Sequence, residues 1–228
     1  MKPYYEEDGM TIYHGSALTV LDEFDGNRTQ MFDLLLTDPP YGIGADRGQA
    51  GRANRQDGQA LAPSRDYGKS DWDSRPALEA VALARRLSRW HVVFGGNFYD
   101  LPPARCWLVW DKENGTNDYA DCELAWTNFE KPVRKLTYRW HGMLQEPDCP
   151  REFREHPTQK PEAVIRWALI QAPSEVRTVL DPFMGTGTTL VAAKRLGRQA
   201  VGIEREERYC EIAARRLAQG ALPLEMGA

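Results

Sequence analysis

The chain has 228 residues, 42% of them hydrophobic and 27% charged, with a formal net charge of −4. These values suit one soluble domain with a sizeable core and exclude a polycationic nucleic-acid coat. No apolar run reaches the roughly 18 residues that span a bilayer, and residues 1–8 lack the apolar segment of a secretion signal, so we expect a cytoplasmic protein. The four cysteines form no C-x-x-C pair, so reduced thiols are favoured and no metal is expected.

Strand and helix patterns alternate along the first half of the chain. Leu34–Leu36 is a continuous apolar run of the kind found in strands that are buried on both faces. Ser16 is placed to cap the first helix. Residues 42–70 have few large apolar side chains, and we interpret them as a long mobile loop. The predicted elements are a strand at Thr11–Gly15, a helix at Leu18–Phe24, a strand at Phe32–Thr37, a helix at Pro76–Trp90 and a strand at His91–Gly95.

The second half continues the same alternation and ends in two strand–helix units. Its predicted elements are strands at Cys106–Trp110, Cys122–Thr127 and Val133–Trp140 (the last near a sheet edge), a helix at Lys160–Ala172, a strand at Thr178–Asp181, a helix at Thr188–Leu196, a strand at Ala200–Glu204 and a helix at Glu207–Gln219. Strands that alternate with helices predict a single α/β domain over residues 1–228, with a mostly parallel twisted sheet and helices on both of its faces.

A glycine turn follows the predicted strand at Thr178–Asp181. Gly185 and Gly187 allow positive φ or the close approach of a ligand, and the turn leads into a helix N-terminus. Glu204 ends the next strand about 20 residues later, the usual spacing for a carboxylate that binds a ribose. A phosphate-binding loop is disfavoured because its lysine is missing. The incomplete G-x-G-x-x-G pattern leaves a nicotinamide site or a ligand-free turn as alternatives.

A second candidate loop is Asp38-Pro39-Pro40-Tyr41, which follows the apolar strand at Phe32–Thr37. The two prolines stiffen the loop and remove two N–H donors. The Asp38 carboxylate and the Pro39 carbonyl are acceptors that suit an amino group, and Tyr41 offers a flat face for a base. A proline-stiffened turn without a function is the alternative interpretation.

These motifs carry a resemblance to a known family. Asp38–Tyr41 resembles the catalytic motif of the amino-group DNA methyltransferases, and Asp181–Thr189 resembles their S-adenosylmethionine-binding motif. His156–Pro161 is similar to the segment that precedes the cofactor motif in the permuted group called β. The resemblance implies a Rossmann-like methyltransferase fold with circularly permuted motif order. It also implies methyl transfer to an amino group of DNA, with N6 of adenine favoured because Asp38 occupies a place where N4-cytosine enzymes more often have serine.

The resemblance implies roles for individual residues. Catalytic roles fall to Asp38, Pro39, Pro40 and Tyr41. Cofactor contacts fall to Asp38, His156, Thr158, Lys160, Asp181, Pro182, Phe183, Gly185, Thr186, Gly187, Thr188 and Glu204. Ser16 departs from the family, which often has an aspartate there that helps to hold the cofactor. Lys160 is alternatively a solvent-facing charge at a helix start.

Double-stranded DNA is the implied partner, and two locally basic stretches are the candidate contacts. Their expected DNA-binding residues are Arg47, Arg52, Arg55, Lys69, Arg134, Lys135 and Arg139. The family's recognition region corresponds to about residues 131–155, which is short, so residues 42–70, a homodimer or another subunit can supply further contacts. N4-cytosine methylation, an RNA or protein-glutamine methyltransferase and a catalytically silent DNA-binding module are the competing functions.

Overall fold

The computed structural model describes residues 1–26, 30–42, 77–113, 120–141, 144–145 and 159–219. The strands are β1 Tyr5–Glu7, β2 Met10–His14, β3 Phe32–Thr37, β4 Ser88–Phe94, β5 Trp107–Asp111, β6 Cys122–Thr127, β7 Arg134–Thr137, β8 Trp140–His141, β9 Leu144–Gln145, β10 Thr178–Asp181 and β11 Gln199–Glu204. The helices are α1 Ala17–Asp25, α2 Leu78–Arg86, α3 Glu162–Gln171, α4 Thr188–Arg195 and α5 Glu207–Ala218.

Most of the strands in the described residues belong to one twisted sheet, with the order β1-β2-β11-β10-β3-β4-β6-β5-β7. The block from β2 to β4 is parallel throughout. β6 runs antiparallel to both of its neighbours, and β1 runs antiparallel to β2. The prediction of a mostly parallel sheet is therefore confirmed. β8 and β9 form a separate two-stranded sheet.

Helices cover both faces of the sheet, as predicted. Leu34 and Leu36 of β3 belong to the apolar cluster that contains the buried side chains of α3, α4 and α5. Leu35 points to the opposite face, into the cluster with α1 and α2. Because successive side chains of a strand alternate between faces, the continuous apolar run of β3 is buried on both sides of the sheet.

Several predicted elements differ from the structure. The predicted helix at Pro76–Trp90 is wrong at its end: α2 stops at Arg86, and Trp90 lies in β4 opposite Leu34. Parallel pairing with β3 buries Val92 and Val93 completely, and this tertiary gain outweighs local helix propensity. The predicted strand at Val133–Trp140 shortens to β7, which lies at the expected edge.

Strand β1 was not predicted, because Tyr5–Glu7 carries no apolar alternation and forms its strand only by pairing with β2. Ser16 is the N-cap residue of α1, but its side chain makes no capping hydrogen bond. The predicted loop at residues 42–70 lies outside the described residues except for Gly42, and so does much of the region 131–155. In the described part of the chain, no helix is both long and apolar enough to cross a membrane.

Candidate active site

The candidate site lies at the point in the parallel sheet where the strand order reverses, between β3 and β10. From β3 the crossover through α2 leads outward to β4, whereas from the adjacent β10 the crossover through α4 leads the other way to β11. Ligands in open α/β sheets bind at the carboxyl ends of strands at such a switch point. Asp38 directly follows β3, and the glycine turn directly follows β10. The two loops therefore meet at the same edge of the sheet, where Asp38 and Gly185 line one cavity.

A cavity of about 750 Å³ opens at this edge. Asp38 and Pro40 line it from the loop after β3, Gly185 lines it from the glycine turn, and Glu204 lines it from the end of β11. Cavities of ~300–1,000 Å³ are typical of sites for small molecules and cofactors. Several lining residues were not predicted, and they are Gly15, Leu18, Ile165, Arg205, Arg208 and Tyr209.

Both oxygens of the Asp38 carboxylate have partners. The Tyr41 hydroxyl donates a hydrogen bond to Oδ1. The Lys160 Nζ lies 2.5 Å from Oδ2. Burial raises the pKa of Asp38 above its ordinary value, and the neighbouring Lys160 ammonium opposes that rise. The carboxylate is therefore held in one orientation at the wall of the cavity.

The Lys160 side chain is only 8% exposed, so the interpretation of Lys160 as a solvent-facing charge is wrong. Besides Asp38, its Nζ contacts Glu123 Oε2 at 3.1 Å, and Glu123 Oε1 in turn contacts Lys112 Nζ at 2.6 Å. We call Asp38, Lys160, Glu123 and Lys112 the four-charge chain. Its charges alternate in sign from the cavity towards the end of β5.

Burial and neighbouring charges compete along the four-charge chain. Burial alone would raise the pKa of Glu123, but the Lys160 and Lys112 ammoniums lower it to about 2. Burial alone would lower the pKa of Lys160, but the Asp38 and Glu123 carboxylates raise it above its ordinary value. Each buried ion is thus compensated by an opposite charge, as a buried ion requires.

Aromatic and glycine residues shape the position of Tyr41. The Phe98 ring stacks on the Tyr41 ring, with centroids 4.9 Å apart and planes 17° from parallel. A Cβ at Gly95 would lie 2.1 Å from the Tyr41 ring, so only glycine leaves room there. Sequence reasoning missed both neighbours, and the expected open face of Tyr41 is in part covered by Phe98, which is itself 44% exposed.

Asp181 lies between the two loops. Thr37 Oγ1 donates to Asp181 Oδ1 at 2.9 Å, and the backbone N–H of Phe183 donates to the same oxygen at 3.1 Å. Burial raises the pKa of Asp181 to about 6, although the hydrogen bonds from Thr189, Thr37 and Phe183 oppose the rise. Asp181 therefore links the ends of β3 and β10 from inside the protein, where its side chain is 3% exposed.

The two glycines of the turn have different surroundings. Gly185 has φ +52°, and a Cβ there would meet no atom within 4 Å. Gly187 has φ +78°, and a Cβ there would lie 2.7 Å from the Ala213 Cβ of α5. Arg216 of α5 also donates a hydrogen bond of 2.7 Å to the Thr186 carbonyl oxygen in the turn. Gly185 thus leaves space towards the cavity, whereas Gly187 permits the close packing of α4 on α5.

Glu204 is oriented by backbone groups. Its Oε2 accepts a hydrogen bond from the N–H of Gly185 at 3.1 Å, and its Oε1 accepts one from the N–H of Glu206 at 2.7 Å. Burial raises the pKa of Glu204, while these two backbone bonds counteract the rise. Since each carboxylate oxygen has a second lone pair, both can still accept hydroxyl donors from a ligand.

The expected site residues do not all fall in the described residues. Thr186, Thr188, Pro182 and Phe183 line the cavity, whereas Pro39 and Gly187 are not among its lining residues. On the exposed β7 edge, Lys135 pairs with Asp111 at 2.9 Å, and Arg139 beyond it lies 3.5 Å from Glu113. The expected site residues that lie outside the described residues are Arg47, Arg52, Arg55, Lys69, His156 and Thr158.

Around the Asp38 loop, the neighbours that sequence reasoning missed are Glu123, Lys112, Phe98 and Gly95. Glu123 had a sequence signal, because it is a charged residue in the otherwise apolar Cys122–Thr127 strand. Among the described residues, no group of three or more His, Cys, Asp or Glu side chains is arranged to hold a metal ion. Cys106, Cys122 and Cys210 are free thiols.

Comparison with known proteins agrees with this geometry. The family model described as "DNA methylase" (N6_N4_Mtase) matches residues 105–215, which include the glycine turn, Lys160 and Glu123. The type II methyltransferase M2.LlaDCHI of Lactococcus lactis subsp. cremoris is 26% identical over 264 residues, covering 96% of this chain and 93% of that protein. M.ScaI of Streptomyces caespitosus, also a type II methyltransferase, is 27% identical and covers 98% of this chain and 86% of its own.

Solved structures share the fold. The M1.HpyAVI–SAM complex superposes with a TM-score of 0.58 at 24% identity, covering 91% of this chain and 98% of that one. The PvuII DNA methyltransferase, described as cytosine-N4-specific, has a TM-score of 0.58 at 14% identity, covering 99% and 91% of the two chains. The predicted methyltransferase fold is confirmed. With its two motif loops at the switch point, the chain is similar in sequence and in fold to the amino-group DNA methyltransferases.

Proposed function

We propose that this DNA methyltransferase transfers a methyl group from S-adenosylmethionine to N6 of adenine in double-stranded DNA. The observation that carries the proposal is that one cavity is lined by Asp38, an acceptor for an amine, and by Gly185, part of the cofactor-type turn. Two reactants that occupy adjacent parts of one cavity can react in an effectively unimolecular step.

The cavity fits the cofactor in size and in chemistry. About 750 Å³ accommodates a nucleoside joined to an amino acid. The Glu204 carboxylate, held by two backbone N–H groups, would accept the ribose hydroxyls. Gly185, which has no side chain in the way, and Asp181 to Thr188 would surround the methionine part. When bound, the cofactor supplies a methyl group that its sulfonium centre has already activated.

The protein must then prepare the amino group. The lone pair of adenine N6 is delocalised into the ring, which makes the nitrogen a weak nucleophile. Asp38 and the Pro39 carbonyl would accept hydrogen bonds from the two N–H groups and draw the nitrogen towards tetrahedral geometry. A fixed carboxylate also stabilises the positive charge that develops on nitrogen in the transition state. The proton leaves after transfer, through Asp38 or water.

The target base must leave the duplex to reach Asp38, at a cost of a few kcal/mol. Stacking on an aromatic ring is worth about 1–3 kcal/mol per base and would offset part of that cost. Tyr41 is the proposed stacking residue. Its ring is positioned by Phe98 and Gly95, and its hydroxyl donates a hydrogen bond to Asp38.

DNA contacts would come from the exposed basic side chains Arg134, Lys135 and Arg139 at the β7 edge, together with the basic residues of 42–70. Arginine side chains suit guanine edges in the major groove and phosphate oxygens. A homodimer would double this surface, in keeping with the short recognition region. Sedimentation with and without DNA measures the oligomeric state directly.

The test uses a plasmid library of random sequence from cells that lack DNA methylation. The library is incubated with S-adenosylmethionine and protein, digested to nucleosides and analysed by mass spectrometry. Wild-type protein is expected to produce N6-methyladenine. N4-methylcytosine instead would replace adenine by cytosine as the target, and the absence of both would refute DNA methylation.

The matched variant in this test is Asp38→Ala. It is expected to reduce turnover by at least about 100-fold, because the amine loses its charged acceptor. Cofactor binding, measured by isothermal titration, should persist, since the glycine turn and Glu204 are unchanged. If Asp38→Ala binds no cofactor, the assignment of Asp38 to the amine is incorrect.

A further inference from the structure

Glu123 and Lys112 of the four-charge chain lie behind the catalytic loop, outside the set of residues that the two motifs identify. Neither lines the cavity. Glu123 is the second residue of β6, and Lys112 follows the end of β5, so the neighbouring strands β5 and β6 bring the two side chains together. The Lys112 ammonium also lies 5.0 Å from the centre of the Trp110 ring.

The position of Lys160 creates an electrostatic conflict for the proposed reaction. Asp38 must present negative charge to an amine that becomes positive during methyl transfer. An ammonium 2.5 Å from the same carboxylate works against that task, because it occupies an acceptor position and cancels the charge. In a buried setting such a pair interacts far more strongly than it would in water.

Glu123 resolves the conflict by sharing the lysine. Its Oε2 lies 3.1 Å from Lys160 Nζ, so the ammonium is divided between two carboxylates. Lys112, 2.6 Å from the other oxygen, keeps Glu123 ionised and oriented. The Phe94 ring centre lies 4.9 Å from Lys160 Nζ and confines the ammonium from another side.

We propose that Glu123 and Lys112 are positioning residues for methyl transfer. Glu123 shares the Lys160 ammonium with Asp38 and so preserves part of the negative charge that Asp38 offers to the target amine, and Lys112 keeps Glu123 ionised and oriented. This inference rests on the proposed function. Neither residue touches the substrate. Both act on the reaction through Lys160.

Among the described residues, the other titratable groups near this network include Tyr41, which donates a hydrogen bond to Asp38, Tyr99, which donates to the Pro40 carbonyl, and Asp181 of β10. They remain in place in the variants below. Glu123 and Lys112 carry opposite charges, so neutralising one or the other must shift the pKa values of Asp38 and Lys160 in opposite directions. If a variant merely lost structure, the pH profiles of the two variants would not shift in opposite directions.

The variants are Glu123→Gln and Lys112→Gln, with Glu175→Gln as the matched control. Glu175 is exposed and lies before β10, at the sheet edge opposite the cavity. Circular dichroism and thermal unfolding establish that each variant is folded. If Glu123→Gln does not fold, Lys112→Gln provides the test. The rate of methyl transfer to the random-sequence library is then measured as a function of pH.

Glu123→Gln is expected to lower kcat about tenfold and to shift both limbs of the pH profile down by about one unit, because an anion is removed beside Asp38 and Lys160. Lys112→Gln is expected to shift both limbs upwards by about half a unit, since a cation is removed. The Glu175→Gln control should match wild type.

Each result has a distinct meaning. Wild-type protein that transfers no methyl group to the library contradicts the proposed function and this inference with it. Active wild-type protein whose Glu123→Gln and Lys112→Gln variants keep the wild-type profile, or shift it in the same direction, contradicts the positioning role alone. Opposite shifts support it.

Discussion

At the scale of single residues, the site is defined by contacts that hold reactive groups still. Asp38 accepts a hydrogen bond from Tyr41 and forms an ion pair with Lys160. The position of the Tyr41 ring is in turn fixed by stacking on Phe98 and by the missing side chain at Gly95. Gly95 has φ +63° and stands at the end of β4, beside the loop that carries Asp38. A residue with no obvious chemistry thus limits where the Tyr41 ring can lie.

The first prediction concerns Gly95→Ala, compared with Gly197→Ala. Both positions have positive φ, +63° and +66°, but a Cβ at Gly197 would meet nothing within 4 Å. Each alanine should cost roughly 1–2 kcal/mol of backbone strain. Only Gly95→Ala should also displace Tyr41 and reduce kcat/KM for DNA, by up to about 100-fold. Thermal unfolding and steady-state kinetics measure the two effects, and equal kinetics in the two variants would rule out the proposed constraint.

At the scale of elements, the glycine turn has two structural roles, and its sequence alone does not show which glycine serves which role. Gly187 begins α4 and packs against Ala213 of α5, whereas Gly185 faces open space at the cavity. Arg216 attaches α5 to the turn. The same short segment therefore sets both the packing of two helices and the shape of the cavity.

The second prediction compares the two glycines of that turn. Gly187→Ala should destabilise the fold by roughly 1–3 kcal/mol beyond the backbone strain, because the new methyl group overpacks the contact with α5. Gly185→Ala should retain more stability but weaken cofactor binding, because its methyl group enters the space that faces the cavity. Urea unfolding and isothermal titration give the two quantities. The assignment fails if Gly185→Ala is the less stable variant while its cofactor affinity is unchanged.

At the scale of the whole molecule, the sheet brings together segments that are far apart in sequence. The hydrogen bond from Thr37 to Asp181 joins residues 144 positions apart and lies at the switch point of the sheet. Burying an aspartate there has a consequence for stability. Its folded pKa of about 6 exceeds the ordinary value of 3.8, so the folded state binds the proton more tightly than the unfolded state does.

The third prediction follows from the sign of that difference. The contribution of Asp181 is most favourable below about pH 4 and is lost as pH rises towards 6, with a total of about 3 kcal/mol as an upper bound. The side chain introduced by Asp181→Asn cannot ionise. The free energy of unfolding of the variant should therefore rise relative to that of wild type as pH increases through this window. Denaturant unfolding at a series of pH values measures the difference. Parallel curves for the two proteins would show that Asp181 titrates normally.

The sequence by itself determined the order of most strands and helices, the buried nature of β3 and the two motif loops. These features depend on local patterns: apolar runs, prolines after a strand, and glycines before a helix. It also supported a family resemblance that the comparisons confirmed. The boundary between α2 and β4 was misplaced, because pairing with β3 overrides the helical preference of that segment.

Only the tertiary structure decided which side chains surround Asp38. Glu123, Lys112, Phe98 and Gly95 reach the site through the neighbouring order of β3, β4, β6 and β5. Lys160, a predicted cofactor contact, lines the cavity and lies buried between two carboxylates, which excludes the solvent-facing alternative. Long-range ion pairs and ring contacts depend on strand order and register, which are set by the packing of the whole sheet and leave no local pattern along the chain.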